Sequence, residues 1–291
     1  MNRQFDVTLV TYAGAPHGAP DDQVLADAIV RLGGRVRFAV WNDPRVDWAA
    51  APCTVVRSTW DYFRNIDAWH VWLSATQAAS RLVNPHPVLL WNTDKSYLSD
   101  LERRGVAIVP TMRVGNRQSC DLAHECAVRG WTDIVVKPAV GASAFGARRF
   151  AKGAIEGAAR AHLRELLSTG NALVQPFQTA VERERERSLV FVAGSYRHAF
   201  SKSAFSAGAA AANAESGERD YEPTAEERDF AHRALAAVGA PVVYARVDLV
   251  PAPAGPLLME LELIEPYLAL RRRPATALAL ADALLNGRSF G

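Results

Sequence analysis

Apolar and polar positions alternate most regularly between Val242 and Tyr267, in the stretch VVYARVDLVPAPAGPLLMELELIEPY. Two apolar runs, 242–250 and 257–264, flank a Pro/Ala/Gly turn, a pattern that predicts a β-hairpin. Side chains alternate faces along a strand, so Arg246 and Asp248 share one face of the first strand. Glu260 and Glu262 share one face of the second, while Val247, Leu249, Leu261 and Leu263 point into a core. Three carboxylates and a guanidinium therefore project together. Buried carboxylates cost several kcal/mol unless they are paired or bind a cation, so the set points to a hard divalent ion such as Mg²⁺. A solvated acidic face is the other reading, and the hairpin alone does not choose between them.

Upstream, residues 5–12 form an apolar run. Val24, Leu25, Ala28, Ile29 and Leu32 then fall at helical spacing, and Gly33-Gly34 stops that helix before a second run at 36–41. This βαβ pattern predicts a parallel α/β layer. Gly14 and Gly18 in the first loop do not form GxGxxG, which disfavours dinucleotide binding. A third strand at 54–57 runs into Ser58, Thr59, Trp60, Asp61 and Tyr62 and a helix over 65–78. Arg57, Ser58, Thr59 and Asp61 at that strand end are candidates to hold a substrate headgroup, with simple helix capping by Ser58 or Thr59 as the alternative.

Further along, Pro87 reads as a break. Thr93 or Asp94 is a natural N-cap for a helix over 95–104 that Gly105 ends, which sets Lys95 at a positive helix end suited to phosphate. Strands are expected at 106–112 and 133–138 around a helix at 119–129. The second strand delivers Lys137 into the small-residue loop 138–146, where Gly141, Ser143 and Gly146 allow main-chain N–H groups to approach an anion. The lysine precedes the glycines, so this is no Walker A loop. A helix over 155–167 and a strand at 172–177, ALVQPF, follow. The alternating run 182–187, ERERER, reads as a solvated face. Strands at 188–193 and 195–202, turned at Gly194, put His198 and Lys202 on one face, toward a site or water. Residues 206–221 lack usable periodicity and are expected to form a flexible covering loop. Thr224 and Glu227 make a capping box for a helix ended by Gly239, and a last helix is expected over 275–285.

With 291 residues, 49% hydrophobic and 22% charged, the chain has the makings of a globular protein of two or three domains. Its formal net charge of +2 is too mild to point to nucleic acid or an anionic membrane as partner. No stretch approaches the roughly 20 apolar residues of a membrane span, and the start reads as a strand rather than a signal peptide, so a cytoplasmic location is expected. The 3 cysteines, Cys53, Cys120 and Cys126, form no CxxC and are expected to be reduced core residues. No Ser–His or Cys–His pattern suggests a protein nucleophile.

The order of these features resembles the ATP-grasp superfamily over about residues 90–285, and the βαβ layer resembles the domain that precedes it. The phrases VRSTWDY (56–62), WNTDKSYL (91–98), ERSLVFVAGSYRHAFSK (186–202) and MELELIEPYL (259–268) are similar to the glutathione synthetase-like and ribosomal-modification-type ligases. They are most similar to a subgroup that includes the ATP-grasp cyclo-ligase of D-cycloserine biosynthesis, which closes O-ureido-D-serine into a ring.

The resemblance implies an α/β (α+β ATP-grasp) fold: a parallel α/β substrate domain over 1–90, a central subdomain over 91–178, and a metal-binding catalytic subdomain over 179–291. It implies ATP and Mg²⁺ as cofactors. Lys95 and Lys137 match the lysines that hold ATP phosphates, the loop of Gly141, Ser143 and Gly146 matches the one that folds over them, and Gln175 and Phe177 match the hinge that meets adenine. The ribose-binding carboxylate falls among Glu182, Glu184 and Glu186, of which Glu186 is preferred. Asp248, Glu260 and Glu262 match the metal triad, and Arg246, with Lys202 beside it, matches the catalytic cations. Glu262 stands where Asn is common, and Gln175 where Glu is frequent.

The implied activity is ATP-dependent carbon–nitrogen ligation through an acyl phosphate, on a small amino-acid-like substrate and by intramolecular ring closure. Intermolecular ligation of amino acids or peptides is the alternative, and a non-catalytic nucleotide-binding module a further one. Because water would hydrolyse an acyl phosphate, a lid is needed, with 138–146 and 206–221 as candidates. Homodimerisation is left open.

Overall fold

Three sheets, each built from a contiguous stretch of sequence, carry the chain in a computed structural model that describes residues 4–203 and 217–287. The first holds β1 (Val7–Thr11), β2 (Val36–Val40), β3 (Cys53–Ser58) and β4 (Arg81–Val83), all parallel in the order β2-β1-β3-β4. Helices α1 (Pro20–Arg31) and α2 (Ile66–Ala79) make its crossovers. Asp21 and Asp22 in the first turn of α1 suit the positive end of the helix. Asn65 caps α2 by accepting from the Ala68 N–H. Strands β1 and β3 are buried on both faces, as the inner strands of a parallel sheet covered by helices must be.

The second sheet follows helices α3 (His86–Asn92) and α4 (Tyr97–Arg103). It contains β5 (Met112–Val114), β6 (Asp133–Pro138), β7 (Arg148–Ala151) and β8 (Ala172–Pro176), with α5 (Leu122–Val128) and α6 (Arg160–Leu167) packed on it. Its order is β5-β8-β6-β7, antiparallel throughout.

The third sheet contains β9 (Glu186–Val192), β10 (Ser195–Lys202), β11 (Arg219–Tyr221), β12 (Tyr244–Val250) and β13 (Leu257–Glu262) in the order β11-β10-β9-β12-β13. A short helix α7 (Ala180–Arg183) leads into it, α8 (Ala225–Ala236) packs on it, and α9 (Pro274–Asn286) closes the described chain. The capping box of Thr224 and Glu227 opens α8, with Thr224 Oγ1 accepting from the Glu227 N–H at 3.2 Å. In the hairpin β12–β13, Arg246 stands opposite Glu262 and Asp248 opposite Glu260.

Helix α9 lies on α1, and Leu280 and Leu284 share one apolar core with Leu9, Leu25 and Ile29 of the first layer. Each such leucine contributes about 1.5–3 kcal/mol on burial, so the last helix fastens the third sheet to the first. No helix among the described residues is long and apolar enough to cross a membrane.

Several elements differ from expectation. Helix α3 forms where Pro87 predicts a break, because proline in a helix's first turn loses no hydrogen bond. The expected strand at 106–112 is instead an extended segment bridged to β13, with Val109 N–H donating to the Leu258 carbonyl at 2.9 Å, and only Met112–Val114 joins the second sheet. A wide π turn, Ile155–Ala159, precedes α6. Within the expected covering loop, Arg219–Tyr221 forms strand β11, while residues 206–216 lie outside the described residues.

Candidate active site

A cavity of about 370 Å³ opens where the three sheets meet. The hairpin β12–β13 supplies its charged floor. Arg246 lies flat on Asp248, with Nε and Nη2 donating to the two carboxylate oxygens at 2.8 Å each. Its Nη2 also reaches Glu262 across the strand pair, and Nη1 donates to the Tyr267 carbonyl at 3.0 Å. Ser188 Oγ at 2.7 Å and Lys202 Nζ at 3.0 Å complete the ring around Asp248. Lys202 further pairs with Glu186 at 2.9 Å, and Lys137, arriving from β6, pairs with Glu260 at 3.0 Å. Arg246 and Lys202 thus join Asp248, Glu262 and Glu186 in one mesh, and the separate Lys137–Glu260 pair faces the same cavity.

Burial and partner charge compete at each of these groups. For Glu260 burial favours the neutral acid, but Lys137 and Lys95 outweigh it and hold the pKa down at about 2. Asp248 is likewise held well below the ordinary range: Arg246 and Lys202 overcome a large desolvation penalty. Glu262 goes the other way, raised by burial that Arg246 only partly offsets. Glu186 is pushed up to about 7 by burial and by the nearby Asp248, against the pull of Lys202.

The donor chemistry fits a hard divalent cation, with a qualification about which carboxylates reach it. Glu260 and Glu262 line the cavity and each gives one oxygen to a cation, leaving a second oxygen with no bond among the described residues. Asp248 is fully buried behind Arg246 and does not line the cavity. Among the described residues no three acidic, histidine or cysteine groups stand at metal-binding spacing, and both oxygens of Asp248 are taken by Arg246. A divalent ion here would take its ligands from Glu260 and Glu262, and from Asp248 only after displacing Arg246.

The small-residue loop forms one wall. Lys95 Nζ donates to the Gly141 carbonyl at 2.6 Å, and the Lys95 N–H donates to the Ala139 carbonyl at 2.8 Å, so Lys95 is tied to the loop just ahead of α4 rather than within it. Gly141 and Ser143 line the cavity, whereas Gly146 does not. Gly146 instead turns the loop at a φ of +69°, with its carbonyl 2.8 Å from His162 Nε2. The ring of Phe145, otherwise exposed, lies 4.8 Å from that of Phe63 in the first layer. Gln175 and Phe177 line the opposite wall. Gln175 Nε2 donates to Thr111 Oγ1 at 2.8 Å, and the Arg149 guanidinium sits 3.4 Å over the Phe177 ring.

The expected substrate residues on the first layer are elsewhere. Arg57 is 2% exposed, paired with Asp22 at 2.9 Å and donating to the Pro266 carbonyl at 3.0 Å. Ser58 Oγ donates to Thr11 Oγ1 at 2.9 Å, Thr59 is fully buried, and Asp61 accepts from the Trp41 indole at 2.8 Å. None of these four lines the cavity, because the segment after β13 covers the carboxyl end of β3. Trp60 and Tyr62, their neighbours in sequence, line it instead. His198 is also not exposed: it is buried between Thr276 Oγ1 at 2.9 Å and the Leu268 carbonyl at 3.0 Å, and burial lowers its pKa to about 4. Sequence reasoning missed Glu265, Tyr267 and Glu218, which all reach the cavity from irregular segments.

The comparisons with known proteins agree with this geometry. Residues 7–84 match the family model described as D-cycloserine synthetase DcsG, N-terminal domain. The chain is 32% identical over 273 residues to the cycloserine biosynthesis protein DcsG of Streptomyces lavendulae, covering 89% of this chain and 91% of that one. A crystal structure of D-cycloserine synthetase DcsG superposes with a TM-score of 0.87 at 30% identity, covering 97% of this chain and 99% of the other. The ATP-grasp fold is shared more widely: the RimK domain protein from Sphaerobacter thermophilus matches with a TM-score of 0.69 at 15% identity, over 98% of this chain and 100% of that one. The protein therefore belongs to the D-cycloserine synthetase family of ATP-grasp ligases.

Proposed function

We propose that the protein closes O-ureido-D-serine to D-cycloserine at the expense of ATP. The observation that carries this reading is the Arg246–Asp248–Glu262–Lys202 mesh on the floor of a small cavity, in a chain of the D-cycloserine synthetase family.

In this reading the substrate carboxylate attacks the terminal phosphorus of ATP, and Lys95, Lys137 and Arg246 spread the developing negative charge. Glu260 and Glu262, with Asp248 behind them, are the residues to hold Mg²⁺, which when bound supplies Lewis-acid neutralisation of phosphate oxygens. Gly141 and Ser143 offer main-chain N–H groups to the phosphates, Gln175 and Phe177 border the base, and Glu186 takes the ribose. The product of this step is an acyl phosphate and ADP.

The aminooxy nitrogen of the same molecule then attacks the acyl carbon. Arg246 steadies the oxyanion, phosphate leaves, and a five-membered ring closes. The ring nitrogen still carries the carbamoyl group, and its hydrolysis with one water releases carbon dioxide and ammonia and leaves D-cycloserine. Lys202 acts on Asp248 and Glu186, keeping the carboxylate under Arg246 ionised.

The test is incubation with Mg-ATP and O-ureido-D-serine, with ADP and products followed by mass. ADP together with D-cycloserine from this single substrate is the expected outcome. ADP only when a second amino acid is supplied transfers the assignment to intermolecular ligation, and no ADP under either condition overturns the substrate class.

A further inference from the structure

Most carboxylates on the cavity wall already have a partner. Glu186 lies against Lys202, Glu260 against Lys137 and Glu262 against Arg246, and Glu218 sits near the Tyr267 side chain in the field of Arg246, Arg272 and Lys202. Glu265 differs. It lines the cavity from the turn after β13, makes no ion pair among the described residues, and its hydrogen bond is to its own main-chain N–H. Lys95, whose charge reaches Glu265, has its ammonium on the Gly141 carbonyl instead.

Nor is Glu265 free to swing into water. The segment that carries it is pinned on both layers: Arg57 donates to the Pro266 carbonyl at 3.0 Å, Arg246 to the Tyr267 carbonyl at 3.0 Å, and Asp21 accepts from the Leu268 and Arg271 N–H groups at 3.3 and 3.0 Å. The buried Arg57–Asp22 pair, 2% exposed on both sides, anchors that clamp in the first layer. A carboxyl held in this way, near Glu262 and Tyr62, has no cation to ionise against until one arrives with the ligand.

We infer that Glu265 is the residue that receives the ammonium group of the substrate and selects α-amino acids over carboxylic acids that lack it. This deepens the function proposed above and rests on it. The ammonium sits on the carbon next to the reacting carboxylate, so with that carboxylate held by Arg246 it faces the same cavity wall as Glu265, whose carboxyl lies within reach of the Arg246 charge. A cavity carboxyl with no ion pair among the described residues thus gains its cation from the ligand. Glu265 also tells the substrate's two ends apart, because the ureido group carries no positive charge to offer it.

The experiment compares O-ureido-D-serine with its deamino counterpart, 3-(ureidooxy)propanoate, on the wild-type enzyme, Glu265→Gln and Glu265→Asp, reading kcat/KM for ADP formation. The wild type is expected to prefer the ammonium-bearing substrate by roughly 100-fold, as for a charge pair shielded from water, and Glu265→Gln to bring that ratio close to unity. Glu265→Asp, which keeps the charge, should restore part of the preference, and a melting curve for each variant separates loss of selectivity from loss of fold. A Glu265→Gln enzyme that keeps the wild-type preference overturns the assignment while leaving the proposed ligase intact. If the wild type forms ADP with neither compound, the proposed substrate falls and this inference falls with it, a result read without any variant.

Discussion

Arg246 and Asp248 lie two residues apart on one strand and hold each other through two parallel hydrogen bonds of 2.8 Å, both side chains almost wholly buried. The pair fixes the plane of the guanidinium over the cavity floor. A planar fork matched to a carboxylate cannot be mimicked by a lysine, which presents a point charge on a flexible stem. Arg246→Lys is therefore expected to keep the fold and lower kcat by on the order of 10²–10³, measured as ADP formation at saturating substrates. Arg246→Met leaves Asp248 buried with one cation fewer and is expected to cost about 3–5 kcal/mol of stability in a denaturant titration. Equal kcat in Arg246→Lys and wild type would remove the arginine from the chemistry.

Lys137 reaches the cavity from a different sheet and is held on Glu260. If ATP phosphates take over that ammonium, Lys137→Met weakens ATP binding by on the order of 10-fold or more in calorimetric titrations. Chelation of divalent ions is expected to abolish ADP formation in the wild type, with activity restored by Mg²⁺. An unchanged ATP affinity in Lys137→Met would confine the lysine to a structural ion pair.

The small-residue loop touches the first layer through Phe145 and Phe63. An aromatic contact of this kind is worth about 0.5–1.5 kcal/mol, enough to shift a loop between closed and open without affecting the fold. Phe145→Ala is expected to raise the ratio of ADP to ring-closed product several-fold, as water reaches the acyl phosphate. Tight coupling in that variant would show that the seal lies elsewhere.

Glu265 is lifted to about 8 by burial and by Glu262, from an ordinary value of 4.5. The folded chain holds this proton more tightly than the unfolded one. Its contribution to stability is thus complete below the unfolded value and is lost as pH rises through about 8. Glu265→Gln cannot ionise. In the ligand-free protein its melting temperature is expected to match wild type at about pH 4.5 and to exceed it by a few degrees at about pH 9. A difference that does not change with pH would contradict the burial of this carboxylate. Greater stability with poorer selectivity is the usual exchange at a binding site.

How much of this could be read from the chain depended on whether a periodic signal existed at each place. The hairpin β12–β13 was legible because alternation with period two puts Arg246, Asp248, Glu260 and Glu262 on one face whatever else the fold does. The capping box at Thr224 and the antiparallel pair turned at Gly194 were legible for equally local reasons. Strand β3 is buried on both faces, so its polar end could not reveal whether Arg57 meets a ligand or another part of the chain, and it meets Asp22 and Pro266. His198 lies on a strand face that local alternation marks as open, but Thr276 and the 268 segment cover it from far along the sequence. Glu186 hid inside an alternating charge run whose local pattern indicates solvent, although it opens β9 beside Lys202. Glu265 follows the last periodic residue of β13, where nothing local distinguishes a cavity wall from an exposed turn.

The most direct measurement follows one oxygen atom. O-ureido-D-serine labelled with oxygen-18 in its carboxylate is turned over with unlabelled Mg-ATP, and the inorganic phosphate is analysed by mass. If the carboxylate is phosphorylated and the ring nitrogen then displaces that phosphate, each phosphate released carries one labelled oxygen and ADP appears in equal amount. Unlabelled phosphate accompanied by ring-closed product would contradict the acyl phosphate route, and with it the roles given to Arg246, Lys95 and Lys137.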